Sequence, residues 1–270
     1  MIVERIFPRQ STGYHKWKKP IALFSEKLDR FGLIQLFSVW TLTVAGIVIS
    51  MDIEDRFVYW EWSNWGVGLL KVILVTGLFI AVLKPKSLWS LGVRPLSNNE
   101  IGIHLGIGSG LIIFGFLSTS NPFNGVLNLV PYLLCFAGII YIFQMKVELD
   151  ETTGDWFAKH WQNKFQILGF STILIFSGVA LGFYLDDPIV STAGMVSLPF
   201  PLIALLWPNH VRHLQRARFY PLFIFAMFLC VRAPWFLIPL SILFYFLRTV
   251  NYFRYGIIHP SFGVNLDEFY

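Results

Sequence analysis

Apolar residues along this chain fall in long blocks instead of the short alternations of a water-soluble fold. Six blocks, residues 32–51, 66–84, 101–118, 125–145, 166–185 and 189–207, match or approach the roughly 20 helical residues that cross a ~30 Å hydrocarbon layer. Backbone N–H and C=O groups find no water inside lipid, so the blocks are predicted to be helices.

The stretch from Phe219 to Tyr252 is harder to read, because Arg232, Ala233 and Pro234 interrupt it and Pro221 and Pro239 restrict it further. It predicts either a hairpin of two short helices or one kinked helix, and charge placement favours the hairpin. Lysine and arginine collect on the inner side of a membrane protein. With a hairpin, seven basic residues precede the first span, three lie in each of the loops 84–100, 145–165 and 208–218, and Arg248 and Arg254 join them. Arg56 and Arg232 are then left outside, and Lys71 sits in the outer part of the second span, from which a lysine can snorkel. The expected fold is therefore an all-α integral membrane bundle of about eight transmembrane helices, with both termini inside.

Tryptophans prefer the interface between headgroups and hydrocarbon, and they give an independent set of boundaries. Trp60, Trp62, Trp65 and Trp235 mark the outer one, and Trp17, Trp89, Trp156, Trp161 and Trp207 the inner one. Trp40 alone falls mid-span. Two inner segments read as surface helices. Ile21, Phe24, Leu28 and Phe31 recur at helical spacing in an amphipathic lead-in over about residues 15–31. Asp155 is placed to cap a second such helix, with Phe157, Trp161 and Phe165 forming its stripe. No linker or convincing repeat divides residues 1–270, which read as a single transmembrane domain.

Composition agrees with the spans. The chain is 55% hydrophobic and 14% charged, against about a quarter charged in a soluble domain. Its formal charge of +5 sits beside the spans, where anionic lipid is the nearer partner and nucleic acid is not expected. The N-terminal twenty residues lack a cleavable-signal pattern, so the first span is expected to direct insertion. A cytoplasmic (inner) membrane, or an equivalent organelle membrane, follows, with the basic loops on the cytoplasmic side. Cys135 and Cys230 lie within apolar blocks and read as packing residues, with neither a disulfide nor a metal expected of them.

Candidate chemistry is sparse. Gly102, Gly106 and Gly110 are four apart on one helix face, with Gly108 and Gly115 nearby, and small residues at that spacing let another helix approach closely. An internal neighbour is the expected occupant. The most polar loop holds His210, Arg212, His213 and Arg216. As a helix it places His210, His213 and Ala217 on one side and the two arginines on another, a candidate site for an anionic lipid headgroup or diphosphate. Two histidines at this spacing lack the third ligand of a catalytic zinc. His104 and His210 are the histidines considered for a haem, although no pattern calls for one. No carboxylate falls mid-span, which weighs against an ion-driven transporter. The acidic residues gather instead at the outer edge (Asp52, Glu54, Asp55, Glu61, Asp186, Asp187) and in the inner loop (Glu148, Asp150, Glu151, Asp155). Neither a GxSxG elbow nor a Walker lysine loop is present.

Two short segments carry resemblances. Ser87 to Pro95, SLWSLGVRP, resembles a linker of the intramembrane CAAX-processing protease family, whose paired glutamates and intramembrane histidines have no counterpart here. Arg94, Pro95, Leu96 and Ser97 resemble the segment after the first acidic motif of membrane aromatic prenyltransferases, whose two Asp-rich magnesium motifs are missing. Neither activity carries over. The leading expectation is a non-catalytic structural or accessory subunit, with membrane lipids and other membrane subunits as partners. The alternatives are a lipid- or isoprenoid-modifying enzyme at the basic loop, and a small-molecule carrier; the sequence names no cofactor.

Overall fold

The computed structural model describes residues 2–51, 60, 62–92, 94–117, 126–145, 147–149, 156–158, 163–208 and 210–256. Eleven α-helices follow in chain order among these residues: α1 (Ile2–Ile6), α2 (Thr12–Phe31), α3 (Leu33–Ser50), α4 (Trp65–Leu78), α5 (Asn98–Phe116), α6 (Val126–Ile142), α7 (Lys164–Tyr184), α8 (Pro188–Ser197), α9 (Pro199–Leu206), α10 (Val211–Arg232) and α11 (Leu237–Tyr255). Seven helical segments are long and apolar enough to cross a membrane, and α6, with 17 residues, is a shorter apolar helix. Helix α4 runs on through a π-helical stretch, Phe79–Leu83. The α8–α9 segment counts as one span although Leu198 separates the two helices. Pro199 and Pro201 each lack the N–H that would continue the ladder there.

Three expectations are corrected. The region after Phe219 forms neither two short helices nor one kinked helix. Helix α10 has 22 residues because the polar segment from Val211 is already helical, and a 3-10 turn at Pro234–Phe236 separates it from the 19-residue α11. The surface helix placed after Asp155 is absent over Trp156–Ala158, which pairs antiparallel with Val147–Leu149 as a two-stranded ribbon, β1–β2. Phe165 belongs instead to the first turn of α7. Asp52, Glu54, Asp55, Arg56, Glu61, Asp150, Glu151, Asp155 and Trp161 lie outside the described residues.

The contacts divide the chain into two compact units, residues 1–33 with 237–270, and residues 34–236. In the first, Ser11 caps α2 by accepting from the Tyr14 N–H, and Gly32 ends it in a left-handed conformation. Helix α2 is thus the amphipathic lead-in, begun a turn earlier than its apolar stripe suggests. It packs on α11 through Tyr14, Tyr252 and Phe253, with Ile21 against them. The Tyr252 hydroxyl donates to the Phe7 carbonyl at 2.6 Å, and Arg9 donates to the Gly256 carbonyl.

In the second unit, α6 and α7 form the most extensive helix pair, with α8, α9 and α10 against them. Glycines set the close approaches. A Cβ on Gly115 would collide with the Thr43 carbonyl, and one on Gly46 with the Ile112 carbonyl, so α3 and α5 meet backbone to backbone. Gly138 and Gly178 do the same between α6 and α7. Gly102, Gly106 and Gly110 do not: an added Cβ meets nothing within 4 Å at any of them. The expectation of an internal helix against that stripe is therefore corrected. The α3-facing side of α5 is marked by Gly108 and Gly115, which are buried.

Candidate functional site

The segment from Lys84 to Ser97 is held against α3 and α5 by side chains whose polar ends meet backbone or each other. Trp89 is 2% exposed, so it is no interfacial anchor; its indole N–H donates to Ser38 Oγ at 2.8 Å, and its ring stacks on His104 at 4.8 Å. Gln35 Nε2 donates to the Leu91 carbonyl. His104 takes the Ser90 N–H on Nε2 at 3.0 Å and lies 2.7 Å through Nδ1 from the Glu100 carbonyl. A carbonyl only accepts and an amide N–H only donates, so these partners select a neutral ring with its proton on Nδ1. Both nitrogens are engaged, and a haem iron at Nε2 would displace the Ser90 amide. Ser97 and Glu100 close a capping box on α5, with Arg94 paired to Glu100.

The basic start of α10 follows. His210 occupies the N-cap position and is exposed. His213 is half-buried, with its ring 4.2 Å from that of His210 and 6.2 Å from Trp207. Arg212 is exposed and Arg216 half-buried, four residues apart on the helix. The structure thus brings His210 and His213 together. Among the described residues no group of three His, Cys, Asp or Glu side chains converges as a metal-binding set.

Arg218 was absent from the sequence-derived candidates, because it reads as one more anchoring charge in a basic loop. Two residues after Arg216, it turns roughly 200° around the helix, onto the face that packs. It is 7% exposed and rests against the rings of Phe143 and Phe219, at 5.1 and 5.3 Å from their centroids. Gly92, at φ 77°, brings the preceding loop onto the same two rings. One signal was available: Arg218 falls in step with Leu214, Leu222 and Phe225 on the apolar stripe of α10.

Toward the middle of this unit, a cavity of about 40 Å³ lies between α3, α5, α6 and α10, with Ser38, Thr41, Leu91, Tyr132, Leu222 and Phe225 in its wall. The Ser38 and Thr41 hydroxyls donate to carbonyls of their own helix, so the space is apolar.

Further along the bundle, Asp187 caps α8 by accepting from the N–H groups of Ile189 and Val190, and it receives the Tyr132 hydroxyl at 3.3 Å. Burial raises its carboxyl above the ordinary aspartate range, against the lowering effect of these bonds and of Arg232. Lys71 does not snorkel: it is buried and donates to the carbonyls of Phe114 and Gly115. Trp235 is not interfacial either, being fully buried over Gly68. Trp17, Trp60, Trp62, Trp65 and Trp207 are exposed, as interfacial residues are. Trp40, the mid-span exception, donates its indole N–H to Thr76 Oγ1 on α4.

Seven apolar helices of spanning length around glycine-mediated contacts define a polytopic helical membrane protein. No protein-family model, curated protein or solved structure matches the chain.

Proposed function

We propose that the chain is a non-catalytic accessory subunit that helps to hold a larger membrane assembly together. The observation that carries this reading is the outward face of α5. Gly102, Gly106 and Gly110 are exposed along three turns with nothing of this chain against them, and such a face admits a foreign transmembrane helix to backbone distance. Supporting it, Lys71, His104, Trp89 and Asp187 spend their polar atoms on this chain's own fold. In this reading the seven long segments and α6 make eight crossings. Helix α6 and its following turn, about 30 Å at 1.5 Å per residue, are long enough for one. Both termini and the basic loops face the cytoplasmic side of an inner or equivalent organelle membrane. Gentle detergent extraction with native mass measurement tests the subunit: co-purifying membrane proteins are expected, and monomer alone refutes it. Labelling of cysteines placed at Pro95 and Arg216 tests the map, which requires both on one face.

A second reading, a lipid- or isoprenoid-handling enzyme, draws on the His210–His213 pair beside Arg212 and Arg216. It requires R212A/R216A to lose lipid binding with the fold intact.

A further inference from the structure

The α5 face and the α10 basic start are both solvent- or lipid-facing; the buried charge beneath them is a separate matter. Arg218 carries five N–H donors in a fixed fork, yet the guanidinium makes no hydrogen bond to any described residue, and its Nε is sealed from solvent without a partner. The Phe143 and Phe219 rings attract its charge but offer no lone pair for its protons. An arginine in apolar surroundings is costly unless something accepts from it, and such residues mark sites of function in membrane proteins. A second unsatisfied group lies nearby in the chain. The Ser90 hydroxyl is buried without a partner, on the loop whose Gly92 abuts Phe219 and Phe143.

We propose that Arg218 is the receptor for a phosphate group at the inner end of α10, borne by an anionic phospholipid or by a free phosphate species. The site is unassigned by the accessory-subunit reading and does not depend on it. Arg218 lies seven residues into α10 from Val211, about 10 Å along the helix axis. That places it just below the interface, where lipid phosphates are the abundant anions. The fork of arginine matches two phosphate oxygens at once, which a lysine does not. The terminal nitrogens are not sealed as Nε is, and they are the ones a bidentate oxyanion engages. Arg212 and Arg216, earlier on the helix and on its other side, draw anionic lipid to the surface without filling this position.

The test uses the full-length chain purified in a neutral detergent, followed by thermal unfolding and native mass measurement with added phosphatidylglycerol, phosphatidylcholine or inorganic phosphate. Phosphatidylglycerol is expected to raise the unfolding temperature and to remain bound, while phosphatidylcholine does neither. A rise with inorganic phosphate as well identifies the free species as a source; a rise with phosphatidylglycerol alone identifies the lipid. The R218Q variant is expected to bind phosphatidylglycerol roughly tenfold more weakly, R218K to recover part of the loss, and R212A to change binding little. Equal responses to both lipids, or R218Q binding like the wild type, overturn the proposal. If R218Q does not fold, the wild-type series decides by itself: no stabilisation by either phosphate source over phosphatidylcholine overturns it.

Discussion

The Lys71 ammonium on α4 donates to the Gly115 carbonyl on α5 at 2.6 Å, and to that of Phe114 at 2.9 Å. These carbonyls lie in the last turn of α5, where no intrahelical N–H follows to satisfy them and the helix dipole is negative. The lysine therefore serves as a tertiary cap. Replacing it with methionine, K71M, keeps the stem but strands two carbonyls. It should cost about 1–3 kcal/mol, read as a lower unfolding temperature and faster hydrogen exchange at the end of α5. An unchanged melt would mean that the ammonium is not stabilising in place.

The glycines of α5 separate folding from assembly. G115A puts a methyl group into the Thr43 carbonyl and should lower the unfolding temperature steeply, by overpacking worth about 1–3 kcal/mol. G106L adds bulk where nothing stands. The accessory-subunit proposal expects it to leave the monomer's melt unchanged and to remove co-purifying proteins; retention of those proteins would argue against that face as the contact.

His104 is a test of structure against chemistry. H104F preserves a ring to stack on Trp89 but leaves the Ser90 N–H and the Glu100 carbonyl without their present partner. The expected loss is about 1–3 kcal/mol, seen as protease sensitivity around residues 84–97 before global unfolding.

Asp187 predicts a pH dependence. Its carboxyl is raised by burial, so the folded chain holds that proton more tightly than the unfolded chain does. The stability this contributes is complete below the ordinary aspartate value and is lost as pH rises through the raised one. D187N keeps an amide oxygen to cap α8 and cannot ionise. The difference in unfolding temperature, variant minus wild type, should grow with pH across that window; a constant difference would show that Asp187 does not titrate there.

Much of this fold is written in the sequence itself. Spans of apolar residues in lipid have no choice but to be helical, so the positions of α3 to α9 follow from hydropathy within a few residues. The start of α2 was legible only in part, because Ser11 and not the apolar stripe begins it. At the C-terminal end the same reasoning underestimated α10, because a helix already nucleated continues through polar residues such as Arg212 and Gln215 at little cost. The ribbon at Trp156–Ala158 escaped because a four-residue spacing of aromatics is compatible with more than one local structure.

Partnership was beyond it. Hydropathy treats Trp89, Trp235, Lys71 and Arg218 as interfacial or anchoring by residue type, yet tertiary packing buries all four. The same packing chose Gly46 and Gly115 over the better-spaced Gly102, Gly106 and Gly110 for the α3–α5 contact. Periodicity is a property of one helix and states which residues share a face. Which face meets a neighbour depends on the distance between two backbones and on what each leaves unbonded, quantities that exist only once the helices have packed.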